Sequence, residues 1–270
     1  MRVSRLVCDK QYAQVLSEVP QGLGVTRTNL QRLLRSMDCV GWSTNEESGR
    51  LNRKALVKFA AGSANIFSRR EYKEAETSAV SILIDCSASM NDGNTNGTRI
   101  QLAQRVAIHL SKILQQSRVP FAVTGFQTSS GSIDTVFTEN GGVHVQRPVF
   151  IPFKTWRQSL QQATAGLDAI DYAACSGTPD YSALYNSLDD LSQRQEKRKI
   201  LFVLTDAEGY LPDHMKHLQS LADRVGITIV AIGIQSADVV RCFVNAVSVS
   251  DLSDLAGASF NQLLKAVRRQ

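Results

Sequence analysis

The stretch Val80-Ser-Ile-Leu-Ile84 is short, apolar and rich in β-branched residues, and it stops at Asp85. So short a run bounded by polar residues reads as a strand covered on both faces. Lys199-Ile-Leu-Phe-Val-Leu-Thr205 repeats the pattern and stops at Asp206, and Ile227-Thr-Ile-Val-Ala-Ile232 repeats it again. Helical periodicities lie between these runs. Arg99 to Gln116 carries Ile100, Ala103, Val106, Ala107, Leu110, Ile113 and Leu114 at helical spacing, and Asp180 to Leu191 carries Ala183, Leu184, Leu188 and Leu191. Pro212 to Val225 reads as a third helix, Ala237 to Val244 as a short one and Asp251 to Arg268 as the closing one. Pro120 to Phe126 and Ala246 to Val249 read as further strands. Strands joined by helices predict an α/β fold: a doubly wound, mostly parallel sheet flanked by helices.

This pattern occupies residues 79–270. Within it, 127–176 is too long for a simple connection and reads as an insertion. Thr128-Ser-Ser-Gly-Ser132 and Asn140-Gly-Gly142 are turn signals around an edge strand from Ile133 to Phe137, and Trp156 to Leu167 has helical spacing. Residues 1–78 read as a small α+β extension. Its expected elements are a helix from Thr28 to Met37 capped by Thr28, strands Cys39–Thr44 and Ser63–Glu71, and a helix from Asn52 through Ala61 stopped by Gly62. They are too few for an independent core and are expected to pack on the α/β body.

Composition narrows the setting. A chain of 270 residues with 43% hydrophobic and 20% charged content folds as a globular protein. No apolar run approaches the roughly 20 residues of a membrane helix, and the N-terminus lacks the apolar core of a secretory signal. Cys8, Cys39, Cys86, Cys175 and Cys242 are odd in number, widely spread and form no CxxC pair, which points to a reducing cytoplasm. Residues 1–78 hold 13 Lys/Arg against 8 Asp/Glu, while the remainder is balanced at 17 of each, so the excess positive charge is N-terminal.

The chemistry sits at strand ends. Asp85-x-Ser87-x-Ser89, Thr178 in a turn feeding the helix at Asp180, and Asp206 after the strand ending in Thr205 all fall where open α/β sheets place ligands. These five side chains offer only hard oxygen donors. Such a set suits Mg²⁺ or Mn²⁺ rather than zinc. Two carboxylates neutralise a divalent ion without excess, and a position stays open for a carboxylate of another protein.

With these three elements in order, the chain resembles the von Willebrand factor A (vWA) domain, whose metal-ion-dependent adhesion site uses DxSxS, a loop threonine and a strand-end aspartate. The resemblance implies Mg²⁺ at Asp85, Ser87, Ser89, Thr178 and Asp206. More narrowly, several stretches look like the C-terminal region of the CobT subunit of aerobic cobaltochelatase. They are Gly49-Arg50-Leu51-Asn52, Asn65-Ile-Phe67-Ser-Arg-Arg70, Thr124-Gly-Phe126, Trp156-Arg157, Arg198 to Asp206, Val230-Ala-Ile-Gly-Ile234 and Asn245-Ala-Val247. That likeness implies a non-catalytic subunit working in a ring-type hetero-oligomer with an AAA+ ATPase of the MoxR/CobS type, and a separate large chelatase-like subunit. Three departures stand out. Ala88 replaces the usual glycine of Ser-Gly-Ser-Met, the strand-end Asp-Gly becomes Asp206-Ala207, and the acidic segment that often precedes the vWA part is missing. They suggest a stand-alone or truncated homologue, of a kind a phage could carry.

Two other classes are weaker. A metal-dependent phosphotransfer enzyme could use Asp85 as an aspartyl nucleophile, but the second acid such enzymes need two positions later is Ser87. A nucleic-acid-binding module could use the basic N-terminal third, but no aromatic-plus-basic signature accompanies it. His214 and His217, three apart on one helix, read as a solvated face rather than a metal pair.

Overall fold

The computed structural model describes residues 23–34, 37–55, 65–74, 78–95, 97–138 and 141–267. The chain forms two compact units, one of residues 35–76 and one of residues 1–34 with 77–270.

The larger unit begins with helix α1 (Leu23–Leu34). The smaller unit is a three-stranded antiparallel sheet of β1 (Met37–Glu46), β2 (Arg50–Leu51) and β3 (Phe67–Glu74), with β3 in the middle. A 3₁₀ turn, Arg53–Ala55, stands where the sequence predicts a helix from Asn52; residues 56–64, including the predicted stop at Gly62, lie outside the described residues. The expected cap at Thr28 is corrected. Thr28 lies inside α1, and its hydroxyl donates back to the Gly24 carbonyl at 2.9 Å, a bond available to threonine within a helix.

In the larger unit the chain continues through β4 (Ser78–Asp85), a small hairpin of β5 (Gly93–Asn94) and β6 (Gly97–Thr98), and α2 (Arg99–Gln116). Then come β7 (Phe121–Thr138), β8 (Gly141–Lys154), α3 (Thr164–Asp168), α4 (Asp180–Ser192), β9 (Arg198–Thr205) and α5 (Pro212–Arg224). It closes with β10 (Ile227–Ile234), α6 (Val239–Cys242), β11 (Ala246–Val249) and α7 (Ala258–Val267). The six-stranded sheet has the order β11-β10-β9-β4-β7-β8. All neighbours are parallel except β8, which runs antiparallel along β7.

The two faces follow from period-two alternation along fully buried strands. Val80, Ile82 and Ile84 of β4 join Ile200, Phe202 and Leu204 of β9 in a core with α1, α2 and α7. Ala79 and Leu83 join Leu201 and Val203 in a second core with α4, α5 and α6. Thr26 of α1 donates to the Leu255 carbonyl at 2.7 Å, Asn29 donates to Asn261 at 2.8 Å, and Ser78 donates to Leu34 O at 2.6 Å. This helix therefore belongs to the α/β unit.

The 127–176 stretch differs from expectation. The polar run Thr128–Ser132 is not a turn: β7 continues through it to Thr138, and a register irregularity between Thr128 and Ile133 absorbs it. β8 carries Pro148 opposite Thr128 and Pro152 opposite Thr124. The helix predicted from Trp156 is a series of turns followed by α3 and a 3₁₀ turn, Ala169–Tyr172. Side chains take two of the main-chain donors there: Thr155 N–H donates to Gln158 Oε1 and Ser159 N–H to Gln162 Oε1. The closing helix is split in the same way. An Asp251–Asp254 capping box starts a 3₁₀ turn, Leu252–Ala256, and Gly257 is extended before α7 begins. The short helix predicted over Ala237–Val244 is one turn, Val239–Cys242.

Candidate functional site

β4 leads through α2 to β7 on one side, and β9 flanks β4 on the other. The carboxyl ends of β4 and β9 therefore bound the switch point where a crevice opens in such sheets. Ile84 is paired with Leu204, so Asp85 and Thr205 end their strands at the same level, with Asp206 next in the chain.

Asp85 is fully buried. Its Oδ1 accepts from Ser87 N–H at 2.9 Å, and its Oδ2 accepts from the Thr205 hydroxyl at 2.8 Å and the Tyr210 hydroxyl at 3.3 Å. Burial pushes its carboxyl up to about 6; the Ser87 and Thr205 hydrogen bonds oppose the rise, and the neighbouring Asp206 charge adds to it. Ser87 Oγ and Ser89 Oγ lie 3.0 Å apart, at the start of the 3₁₀ turn Ala88–Asn91 that Met90 anchors in the core.

The loop before Thr178 is laid against this turn by main-chain bonds. Cys175 N–H donates to Cys86 O at 3.1 Å and Ala88 N–H to Ser176 O at 2.7 Å. Thr128 of β7 holds the same loop: its N–H donates to Gly177 O at 3.0 Å, and its hydroxyl accepts from Gly177 N–H at 2.8 Å. Thr178 follows, half-buried, just ahead of α4.

Asp206 is buried, and its Oδ1 accepts from Glu208 N–H at 3.0 Å. Ala207 has φ +55, the left-handed region that glycine adopts freely and alanine adopts at about 1 kcal/mol. The turn is held by Ala207 N–H donating to Thr205 Oγ1 at 2.8 Å.

Three participants are invisible in the local sequence pattern: Thr205 and Tyr210, which hold Asp85, and Arg99. Arg99 is the first residue of α2, and its Nη1 reaches Asp206 Oδ2 at 2.8 Å, Glu208 Oε2 at 3.2 Å and the Ser89 carbonyl at 3.3 Å. The one sequence signal for it was its place: a cation at a helix N-terminus opposes the helix dipole and needs a compensating acid.

The donor set fits a hard divalent ion. Asp85, Ser87, Ser89, Thr178 and Asp206 present carboxylate and hydroxyl oxygens, and a carboxylate oxygen has room for two partners. Asp85 Oδ1 accepts the Ser87 bond, while Oδ2 already has two donors. Cys86 is no thiolate ligand: burial holds its thiol well above the usual range, and its Sγ faces the Ile84 carbonyl at 3.6 Å. Among the described residues, no group of three or more His, Cys, Asp and Glu gathers into a metal-binding cluster. His217 Nδ1 is hydrogen-bonded to the Tyr181 hydroxyl at 2.9 Å, and the Tyr181 ring meets His214 edge-on. No helix among the described residues is long and apolar enough to cross a membrane.

An uncharacterized protein of Bacillus subtilis (strain 168), YojO, is 27% identical over 166 residues, covering 61% of this chain and 24% of YojO. The chain thus matches about a quarter of that relative's length. Among solved structures, a von Willebrand factor type A protein from Catenulispora acidiphila is 15% identical with a TM-score of 0.40, covering 87% of this chain and 50% of that one. The PilB minor pilin from Streptococcus sanguinis is 12% identical with a TM-score of 0.49, covering 75% and 64%. A sequence profile of the von Willebrand factor type A domain matches residues 79–261, from β4 into α7. That match spans more than half of the chain and the whole parallel sheet, and the chain belongs to the von Willebrand factor type A domain family.

Proposed function

We propose that this protein is a non-catalytic docking subunit that holds Mg²⁺, or Mn²⁺, at Asp85, Ser87, Ser89, Thr178 and Asp206 and captures an acidic side chain of a partner. When bound, the ion supplies an electrophilic position open to a carboxylate. The chain's own residues do the rest. Thr205 and Tyr210 orient Asp85, the Ser87 and Ser89 hydroxyls converge beside it, and the main-chain bonds of Cys86 and Ala88 register the Thr178 loop. The observation that carries this reading is the meeting of all three segments at the switch point, with Asp85, Ser87 and Asp206 each buried. The family is one of protein-interaction modules, and the arrangement brings no nucleophile–base pair with it.

The partner in this reading is a MoxR-type AAA+ ATPase, as in CobT-like assemblies. The support is the sequence likeness from Gly49 to Val247; a role in metal insertion rests on that likeness alone. The test is co-purification with tagged protein, with retained proteins identified by mass spectrometry. An AAA+ ATPase should be retained in Mg²⁺ and lost in EDTA and with Asp85→Ala. Equal retention under all three conditions refutes metal-dependent docking.

A further inference from the structure

Arg99 is the cation already inside the proposed metal site. It starts α2 behind a capping box in which Thr98 and Gln101 exchange bonds, so its position is fixed by the helix entry rather than by chance on a flexible loop. The Arg99 side chain is 22% exposed and the Asp206 side chain 2%, so their 2.8 Å pair is largely shielded from water. Glu208, at 64% exposure, is a weaker, screened second acceptor. The Ser89 carbonyl completes the grip, so one guanidinium ties the DxSxS turn to the strand-end aspartate.

We propose that Arg99 sets the divalent-ion affinity of this site by acting as an internal counter-cation to Asp206. The inference rests on the metal-docking reading above. With Asp85 and Asp206 ionised, the two carboxylates carry two negative charges, and Arg99 returns one. Counting only these three shielded groups, a divalent ion meets a net charge near −1 and leaves it near +1, with the exposed and screened Glu208 carboxylate outside the count. Two effects follow. Binding of the ion is weakened, because Asp206 Oδ2 is already engaged and the guanidinium repels a second cation. The loaded site also keeps positive charge, which favours a partner carboxylate over water.

The experiment is isothermal titration of Mg²⁺ into the chelator-stripped 270-residue chain, using wild type, Arg99→Met, Arg99→Gln and Arg99→Lys. Gln keeps a donor toward Asp206 and Ser89 while removing the charge, so it carries the test if Met disturbs folding. Thermal denaturation checks that each variant is folded. Met and Gln should tighten Mg²⁺ binding roughly tenfold, the effect of removing one charge from a partly buried cluster, whereas Lys stays close to wild type. Mg²⁺ binding by the neutral variants alone would also support the proposal. Unchanged or weaker binding by the neutral variants, with wild type binding normally, overturns the role of Arg99 and leaves the metal site standing. No binding by any folded protein overturns both.

Discussion

Replacing Asp85 with asparagine separates the charge of the site from its shape. Burial raises the Asp85 carboxyl from 3.8 to about 6. Because the folded value lies above the unfolded one, the fold prefers the protonated acid. The stabilisation is complete below about pH 4 and lost as pH rises through about 6. A shift of about two pH units corresponds to about 3 kcal/mol. Asparagine keeps the Ser87 bond through its oxygen, but its amide can only donate to the Thr205 and Tyr210 oxygens, which in wild type donate to Asp85, so two hydroxyl protons lose their acceptor. In EDTA near pH 7.5, relief of the buried charge should outweigh the reversed hydroxyl bonds, so Asp85→Asn should stabilise the protein by about 1–2 kcal/mol, a rise in Tm of roughly 2–6 °C for a domain of this size. The gap should close near pH 4, where wild-type Asp85 is protonated. Mg²⁺ should raise the Tm of wild type and leave the variant unmoved. Thermal denaturation followed by circular dichroism at both pH values reads all of this. A variant less stable than wild type in EDTA near pH 7.5, or a gap that does not change with pH, refutes the reasoning.

Two further substitutions probe the frame around that carboxylate. Thr205→Val removes the hydroxyl that donates to Asp85 and accepts from Ala207 N–H; it should cost about 1–3 kcal/mol in urea denaturation and weaken Mg²⁺ binding, and an unshifted urea midpoint would count against this hydroxyl as a structural tie. Gly125→Ala places a Cβ 2.6 Å from the Phe153 ring and 2.7 Å from Cys86 Sγ; the overpacking should cost about 1–3 kcal/mol, and wild-type stability would show that the β4–β7 seam has slack.

The parallel core was legible because β4, β9 and β10 are almost wholly buried and show it as nearly continuous apolar runs, broken only at Ser81 and Thr228. Asp85 and Asp206 were legible because each ends such a run. Ser87, Ser89 and Thr178 were proposed from the pattern alone; what lays the loop before Thr178 against the Ser87–Ser89 turn is a pair of main-chain bonds, from Cys175 to Cys86 and from Ala88 to Ser176, that no local pattern encodes. Arg99 lies 107 residues from Asp206, and Tyr210 lies 125 from Asp85, so both contacts are products of topology. The errors were local competitions. Thr128–Ser132 carries turn residues, but pairing with β8 keeps β7 running past them. Leu160, Ala163 and Leu167 have helical spacing and are buried, but Gln158 and Gln162 bond to the nearby main chain and hold that segment in turns.

The prolines of β8 bear on how this molecule can associate. A sheet edge is a template for further strands, and proline at an edge position removes a donor that an incoming strand would need. Pro148 and Pro152 interrupt β8, and the opposite edge strand, β11, is only four residues long. The Pro148–Lys154 half of β8 and the short β11 therefore offer no long unbroken ladder. Recruitment by strand addition, and the runaway stacking that leads to fibres, are disfavoured along those stretches, both of which flank the body of the sheet.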